Sequence, residues 1–386
     1  VIKQYVKKTI AKSHKDKYKT LNVIEINQQN IINNYQVYRR LTGGKQLIAV
    51  LKANAYGHGL TQIATILNQT DCNFIAVDGY FEANKLLLFT KHKILVMGYI
   101  LPDNAKLLDN KQCSYVVQDI NGLKALGKLN KKFNIHLEIN SGMNRLGLKP
   151  AELDSYLKTL KQYPMLKLEG VMSHLADADN PNNDFTLQQV AYFDEQVHNI
   201  LLKGFRPEYI HLAQSAGATK ANSKTANTIR IGIGLYGINP LSIKDKRYSS
   251  LNDLKPALEL KSTIIKVINT QPGDKISYNG IYQSKTKEAI AVLPIGYYEW
   301  VPRELSNIGL FTDINYNYNL IIRGRVCMNH TMVDITTTKL NIGDKIILIS
   351  NDNAQPNSIM AISQQFNLFS YNLLTRLSES IRRVIV

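Results

Sequence analysis

From Val23 onward, short runs of aliphatic and β-branched residues alternate with stretches of helical periodicity. Apolar runs of strand length fall at Leu47–Lys52, Phe74–Asp78, Ile94–Gly98, Tyr115–Gln118, Ile135–Asn140, Leu168–His174, Tyr209–Ala213 and Thr228–Gly232. Between them lie helix-period segments such as Ala151–Leu160, with apolar positions at Leu153, Leu157 and Leu160, and Leu187–Leu202. Nearly continuous apolar strands are those buried on both faces, as parallel strands are. Eight such runs separated by helices predict a TIM-type (β/α)8 barrel over residues 23–246, with an open doubly wound sheet as the alternative. The pattern changes after the polar stretch Lys244–Asp253. Alternating segments then dominate, at Leu260–Ile268, Glu288–Leu293, Leu320–Ile322 and Lys345–Ile349, broken by the similar turns Pro272-Gly273-Asp274 and Ile342-Gly343-Asp344. Residues 247–386 are therefore expected to form a separate, mostly β domain. Residues 1–22 precede the first apolar run as a basic tail.

Composition narrows this α/β reading. A chain of 386 residues with 44% hydrophobic and 20% charged residues has material for a large core or two. No segment reaches the roughly 18 uninterrupted apolar residues of a membrane span. The tail carries seven lysines within its first 20 residues but no apolar centre, so it does not read as a secretory signal. Cys72, Cys113 and Cys327 are odd in number and lack metal-ligand spacing, which predicts a reducing, cytoplasmic setting and no metal site. A net charge of +17 invites a nucleic-acid reading, but the lysines are dispersed and no basic helix or zinc-finger spacing accompanies them. A basic field that draws anionic substrates or cofactors, or a simple compositional bias toward Lys, Asn and Tyr, accounts for the charge without a nucleic-acid partner.

Barrel enzymes carry their chemistry at the C-terminal ends of the strands. Lys52 ends the first run, Arg145 follows the fifth, His174 ends the sixth, Ser215 follows the seventh, and Arg230 lies in the eighth, before Gly232 and Gly234. A single lysine ending a strand ordinarily just reaches water, and His174 fits a hydrogen-bonded core histidine equally well. Five such residues on one rim define a candidate site. A lysine that forms an imine must spend time uncharged, which burial and nearby cations favour. Ser215 and Gly232-Ile233-Gly234 suit a phosphate, because glycine lets backbone N–H groups approach an anion. The simpler reading of those glycines is a chain turn.

The run Ala49-Val50-Leu51-Lys52-Ala53-Asn54-Ala55-Tyr56-Gly57-His58-Gly59 resembles the signature of the alanine racemase family, fold type III of the pyridoxal phosphate enzymes. Segments around Arg145, Ser173-His174, His211–Ala216, Arg230–Gly237 and Gly324–Met328 follow in family order, so the likeness spans Val23 to Val386. It implies a homodimeric amino-acid racemase that interconverts L- and D-alanine and supplies D-alanine for peptidoglycan, with pyridoxal 5'-phosphate anchored on Lys52. It further implies that Lys52 and Tyr297 are opposed catalytic bases, with Tyr297 arriving from the β domain of a partner subunit. Tyr56, Ser215, Gly232 and Ile233 are implied as phosphate ligands, His174 and Arg230 as contacts to the cofactor ring, and Arg145 and Met328 as substrate contacts. Racemisation needs a base on each face of the α-carbon, and a tyrosine in that role must be made more acidic than its ordinary pKa of about 10.

Four departures from the family pattern bear on this. Glu138 stands seven residues before Arg145, where many relatives have a carbamylated lysine, so it is expected to supply the anion facing Arg145 directly. Gly296-Tyr297-Tyr298-Glu299-Trp300 replaces the usual Gly-Tyr-Ala-Asp-Gly, and Asn329 replaces a common aspartate. Glu379 stands where many members carry a tyrosine that narrows the substrate entrance, which opens the alternative of a broader or different amino-acid specificity. Asp179 is expected in the same entrance, with a plain loop aspartate as the alternative. A non-catalytic cofactor-binding protein is the remaining alternative, against which the β domain and Tyr297 count.

Overall fold

The computed structural model describes residues 18–386; the basic tail expected over 1–22 lies outside the described residues up to residue 17. Eight parallel strands close into a barrel in chain order: β2 (Gln46–Val50), β3 (Phe74–Val77), β4 (Lys93–Val96), β5 (Cys113–Val117), β6 (Phe133–Glu138), β7 (Leu166–Met172), β8 (Tyr209–His211) and β9 (Thr228–Ile231). β2 closes the ring on β9, pairing Ile48 with Arg230 and Ala49 with Ile231. All eight expected runs are barrel strands, and the barrel reading is borne out over the open sheet. The physical basis is visible in β3, buried at all four positions, because one face lines the barrel and the other meets helices.

The strand before the barrel behaves otherwise. β1 (Val23–Ile26) pairs antiparallel with β10 (Leu258–Thr263) and parallel with β19 (Arg382–Ile385). The barrel boundary expected at residue 23 is therefore corrected: this strand belongs to the second unit, which is built from both ends of the chain. β1 alternates half-buried and buried residues, the mark of a strand with one covered face, and that distinguishes it from the barrel strands.

β1, β10 and β19 lie in a six-stranded sheet with β15 (Leu310–Asp313), β16 (Asn319–Ile321) and β18 (Lys345–Ile349), in the order β16-β15-β18-β10-β1-β19. A three-stranded antiparallel sheet joins β11 (Lys266–Thr270), β14 (Glu288–Leu293) and β17 (Thr331–Asp334), and β12 (Lys275–Ile276) pairs with β13 (Tyr282–Gln283). The expected run Leu260–Ile268 is two strands, β10 and β11, pairing in different sheets. The two Gly-Asp turns share one construction. Gly273 and Gly343 have φ of 96° and 95°, and Asp274 and Asp344 each accept from a backbone N–H three residues earlier at 2.7 Å.

The helix Gln28–Leu41 joins the two units. Asn27 caps it by accepting from Asn30 N at 2.9 Å, and Ile31, Tyr35 and Tyr38 form its buried stripe. Asn34 on that face donates to the carbonyls of Leu235 and Lys255, tying barrel to β domain. No helix among the described residues is long and apolar enough to cross a membrane.

Candidate active site

β2 ends at Val50, and the chain then makes a left-handed turn. Ala53, Asn54 and Ala55 have φ of 53° to 54°, and Tyr56 has 51°. Each L-residue in this conformation costs about 1–2 kcal/mol, so neighbouring bonds must fix it. Asn54 Oδ1 accepts from Leu60 N at 2.8 Å, and Asn54 N donates to Glu82 Oε1 at 3.1 Å. Arg383 Nε donates to Gly57 O at 2.8 Å from the far end of the chain. The reversed turn places Lys52, Ala53 and Tyr56 on one wall of a cavity of about 580 Å³ above the barrel mouth.

Also on its walls are Glu138, Arg145, His174, Ser215, Arg230, Gly232 and Ile233. The structure thus gathers eight of the ten site residues expected from the sequence. Lys52 Nζ has no hydrogen-bond or ion-pair partner among the described residues. Ser215 Oγ accepts from Gly232 N at 2.9 Å and Gly234 N at 3.3 Å, drawing the β8 and β9 loops together. A Cβ on Gly232 would stand 2.7 Å from the Tyr56 hydroxyl, so only glycine leaves that approach open. Burial pushes the Tyr56 hydroxyl up to about 12, which keeps it a neutral donor.

Arg230 is fully buried. Its Nη1 donates to His211 O at 3.0 Å and lies 2.7 Å from His211 Nδ1; its Nη2 donates to Ser173 O at 2.7 Å and Leu212 O at 3.0 Å. His174 Nδ1 stands 3.2 Å from the same Nη2. Burial, then the charges of Arg230, Arg145 and Lys52, lower the pKa of His174 to about 3, so its ring is neutral and accepts. Burial is also the leading influence on Arg230, lowered only to about 10, so the guanidinium keeps its charge at neutral pH.

Glu138 is buried on the cavity wall. Burial raises its pKa, while Arg230 and then Arg145 pull it back down. The carboxylate faces both arginines electrostatically without the ion pair to Arg145 that the sequence suggested. Glu379 is exposed and off the cavity wall, which carries Tyr371 and Thr375 instead. The Tyr371 ring lies 6.1 Å from that of Tyr56, and Asp179 acts on its hydroxyl through charge. Tyr371 is not among the residues expected from the sequence, because no motif around it marks it.

Tyr297 and Met328 do not line this cavity. They lie together on the β domain, 45% and 55% exposed, with Tyr297 N donating to Cys327 O and Tyr298 N to Met328 O, both at 3.0 Å. A Cβ on Gly296 would strike the carbonyls of Cys327 and Met328, so this glycine lets the two turns touch.

The residues present fit pyridoxal phosphate. An unpartnered lysine, a glycine-lined approach beside two hydroxyls, and one buried guanidinium share one cavity of suitable size for such a group. Fold and site together define a barrel enzyme of the kind that anchors a phosphorylated aldehyde cofactor on a lysine.

Comparison with known proteins makes this specific. The chain matches the alanine racemase N-terminal domain over residues 26–240 and the alanine racemase C-terminal domain over residues 257–385. It belongs to the alanine racemase family. The alanine racemase of Francisella philomiragia is 31% identical over 374 residues, covering 95% of this chain and all of the relative. The alanine racemase of Bacillus anthracis, solved with bound L-Ala-P, superposes with a TM-score of 0.87 at 28% identity and 96% coverage of both chains. The fold is shared too with the Bartonella henselae alanine racemase carrying covalently bound pyridoxal phosphate, at a TM-score of 0.81, 23% identity and coverage of 95% and 100%.

Proposed function

We propose that this chain is a pyridoxal phosphate-dependent racemase that interconverts L- and D-alanine, working as a cytoplasmic homodimer and supplying D-alanine for peptidoglycan. The observation that carries the reading is the meeting of Lys52, Tyr56, Ser215, Arg230, Gly232 and Ile233 on one cavity wall, in a chain of this family. Residues 247–386, with the first strand at Val23–Ile26, form the unit that serves the partner's site.

In this reading Lys52 anchors the cofactor. Ser215, Tyr56 and the N–H groups of Gly232 and Ile233 hold its phosphate, at the start of a short helix whose first donors lack intrahelical partners. The bound cofactor supplies an electron-withdrawing ring that acidifies the α-proton of an attached amino acid. Lys52 moves that proton on one face of the α-carbon, and Tyr297 from a second subunit moves it on the other. One base alone would return the proton to the face it came from. Arg230 faces the ring nitrogen with donors only, since a guanidinium has no acceptor. Neutral His174 accepts from Arg230 on Nδ1, so its Nε2 carries the proton and can donate to the tyrosine oxygen, which favours the ionised phenol. Arg145 and Met328 hold the substrate carboxylate side, and Glu138 balances Arg145. Exposure of Tyr297, Tyr298 and Met328 on the β domain, and of Tyr99, Leu101 and Leu146 on the barrel loops, supports a face covered by a second copy.

The test is incubation of the purified protein with each enantiomer of alanine, serine and lysine, followed by chiral chromatography. Racemisation of alanine is expected, and absence of turnover with all three would sink the proposal. The shared site is tested separately by co-expressing Lys52→Ala and Tyr297→Phe chains. Mixed dimers should regain activity that neither variant has alone, because one of their two sites carries no substitution.

A further inference from the structure

Below the cavity, a line of polar side chains runs through the barrel interior to its opposite end. His211 Nε2 stands 2.8 Å from His136 Nδ1, and His136 Nε2 stands 3.4 Å from Glu169 Oε2. Glu169 also accepts from Lys93 Nζ and from Ser114 Oγ, each at 2.5 Å. His136, Glu169 and His211 are essentially inaccessible, and only Lys93 reaches towards solvent. The line is built rather than incidental. A Cβ on Gly170 would press into the His136 ring, and the β6–β7 register shifts between Ile135 and His136. The Phe74 ring stands edge-on to the imidazole at 5.8 Å and the Tyr209 ring stacks at 5.9 Å, while Lys93 lies over both aromatic rings.

The two ends dictate the protonation of the middle. Arg230 can only donate, so His211 Nδ1 must accept, and a neutral His211 then carries its proton on Nε2. That N–H donates to His136 Nδ1, which leaves the His136 proton on Nε2, directed at Glu169. An ionised carboxylate accepts it and can do nothing else. Every link points the same way, from guanidinium to carboxylate. Burial keeps both imidazoles neutral, since it lowers their pKa values, with further lowering from Arg230. Burial would raise the Glu169 pKa, but bonds from His136, Lys93 and Ser114 outweigh this and hold it at about 2.

We infer that Glu169 is a positioning residue for the site above it: through His136 and His211 it fixes which nitrogen of each imidazole is protonated, and so holds the Arg230 guanidinium in place. Lys93 sets the sense of the line by holding the carboxylate from the other side. The consequence for activity rests on the function proposed above; the protonation pattern does not.

Substituting Glu169→Gln exposes this logic. Lys93 demands the amide oxygen, which turns the amide NH2 toward His136. His136 then has to accept on Nε2 and donate from Nδ1, His211 follows, and its Nδ1–H confronts Arg230 Nη1. Removing the lysine as well, in Glu169→Gln with Lys93→Met, frees the amide to present its oxygen and restores the original sense. Nitrogen-15 NMR of histidine-labelled apoenzyme reads the tautomers directly. His136 and His211 should both be neutral and protonated on Nε2; a cationic or Nδ1-protonated His211 in the unsubstituted protein overturns the inference. In the loaded enzyme, Glu169→Gln should shift the cofactor absorbance and lower kcat by about tenfold or more through displacement of Arg230. The double variant should recover most of that loss. If both variants keep the original tautomers and absorbance, Glu169 is packing alone and the inference fails.

Discussion

Asn329 Nδ2 donates to Glu299 Oε1 at 2.6 Å, so two residues that depart from the family pattern at separate places in the sequence touch in the structure. The other carboxylate oxygen of Glu299 accepts from Gly296 N at 2.9 Å, and its backbone carbonyl accepts from Ser378 N at 2.9 Å. One glutamate thereby ties the Tyr297 turn to the Met328 loop and to the C-terminal segment.

Asn329→Asp should consequently weaken the enzyme, because it sets a second carboxylate against Glu299. Adding Glu299→Gln should repair it: the glutamine oxygen still accepts from Gly296 N while its amide donates to the new aspartate. A double-mutant cycle on thermal unfolding should give a coupling energy on the order of 1 kcal/mol. Additive effects would show that the two side chains act separately.

Gly232→Ala places a methyl against the Tyr56 hydroxyl at a 2.7 Å approach. Overpacking of this kind costs about 1–3 kcal/mol, which taken wholly from binding is about a 5- to 150-fold rise in cofactor Kd. Spectrophotometric titration of the apoenzyme with pyridoxal phosphate measures it. Unchanged affinity would remove Gly232 from the phosphate site.

The left-handed turn after Lys52 holds strain that glycine relieves. Ala53 is exposed at φ 54°, so Ala53→Gly should stabilise the apoenzyme by about 0.5–1 kcal/mol, after the entropy glycine adds to the unfolded chain. Ala55 has φ 53° but is fully buried, so Ala55→Gly also loses methyl packing and should gain less. Urea denaturation of the two variants orders them.

Glu138 gives a pH dependence of definite sign. Burial raises its pKa above the ordinary 4.5, more than Arg230 and Arg145 lower it. A raised acid binds its proton more tightly in the folded state, so its stabilisation is complete below 4.5 and is lost as pH rises through the raised value. Glu138→Gln cannot ionise. The apo variant should be more stable than the parent at neutral pH, with the difference vanishing at about pH 4. If Glu138 balances Arg145 as proposed, the same variant should lose activity, which chiral assay alongside denaturation would show.

The sequence determined the barrel and one half of the site. Buried parallel strands must be apolar on both faces, so β2 to β9 are readable as runs, and site residues at their C-terminal ends have predictable positions on the rim. Lys52, Arg145, His174, Ser215 and Arg230 were legible for that reason, and the specific run around Lys52 tied them to a family. Tertiary structure decided what depends on distant pairing. β1 lies beside β10 and β19 because hydrogen-bond ladders form between segments far apart in the chain, which no local pattern records. Tyr371 reaches the cavity, and Glu379 does not, because the helix Ser370–Thr375 packs over the Lys52 turn. The line from Arg230 to Glu169 is likewise absent from the sequence as a motif. Its members come from four different strands, and only closure of the barrel brings their buried polar atoms within hydrogen-bonding distance.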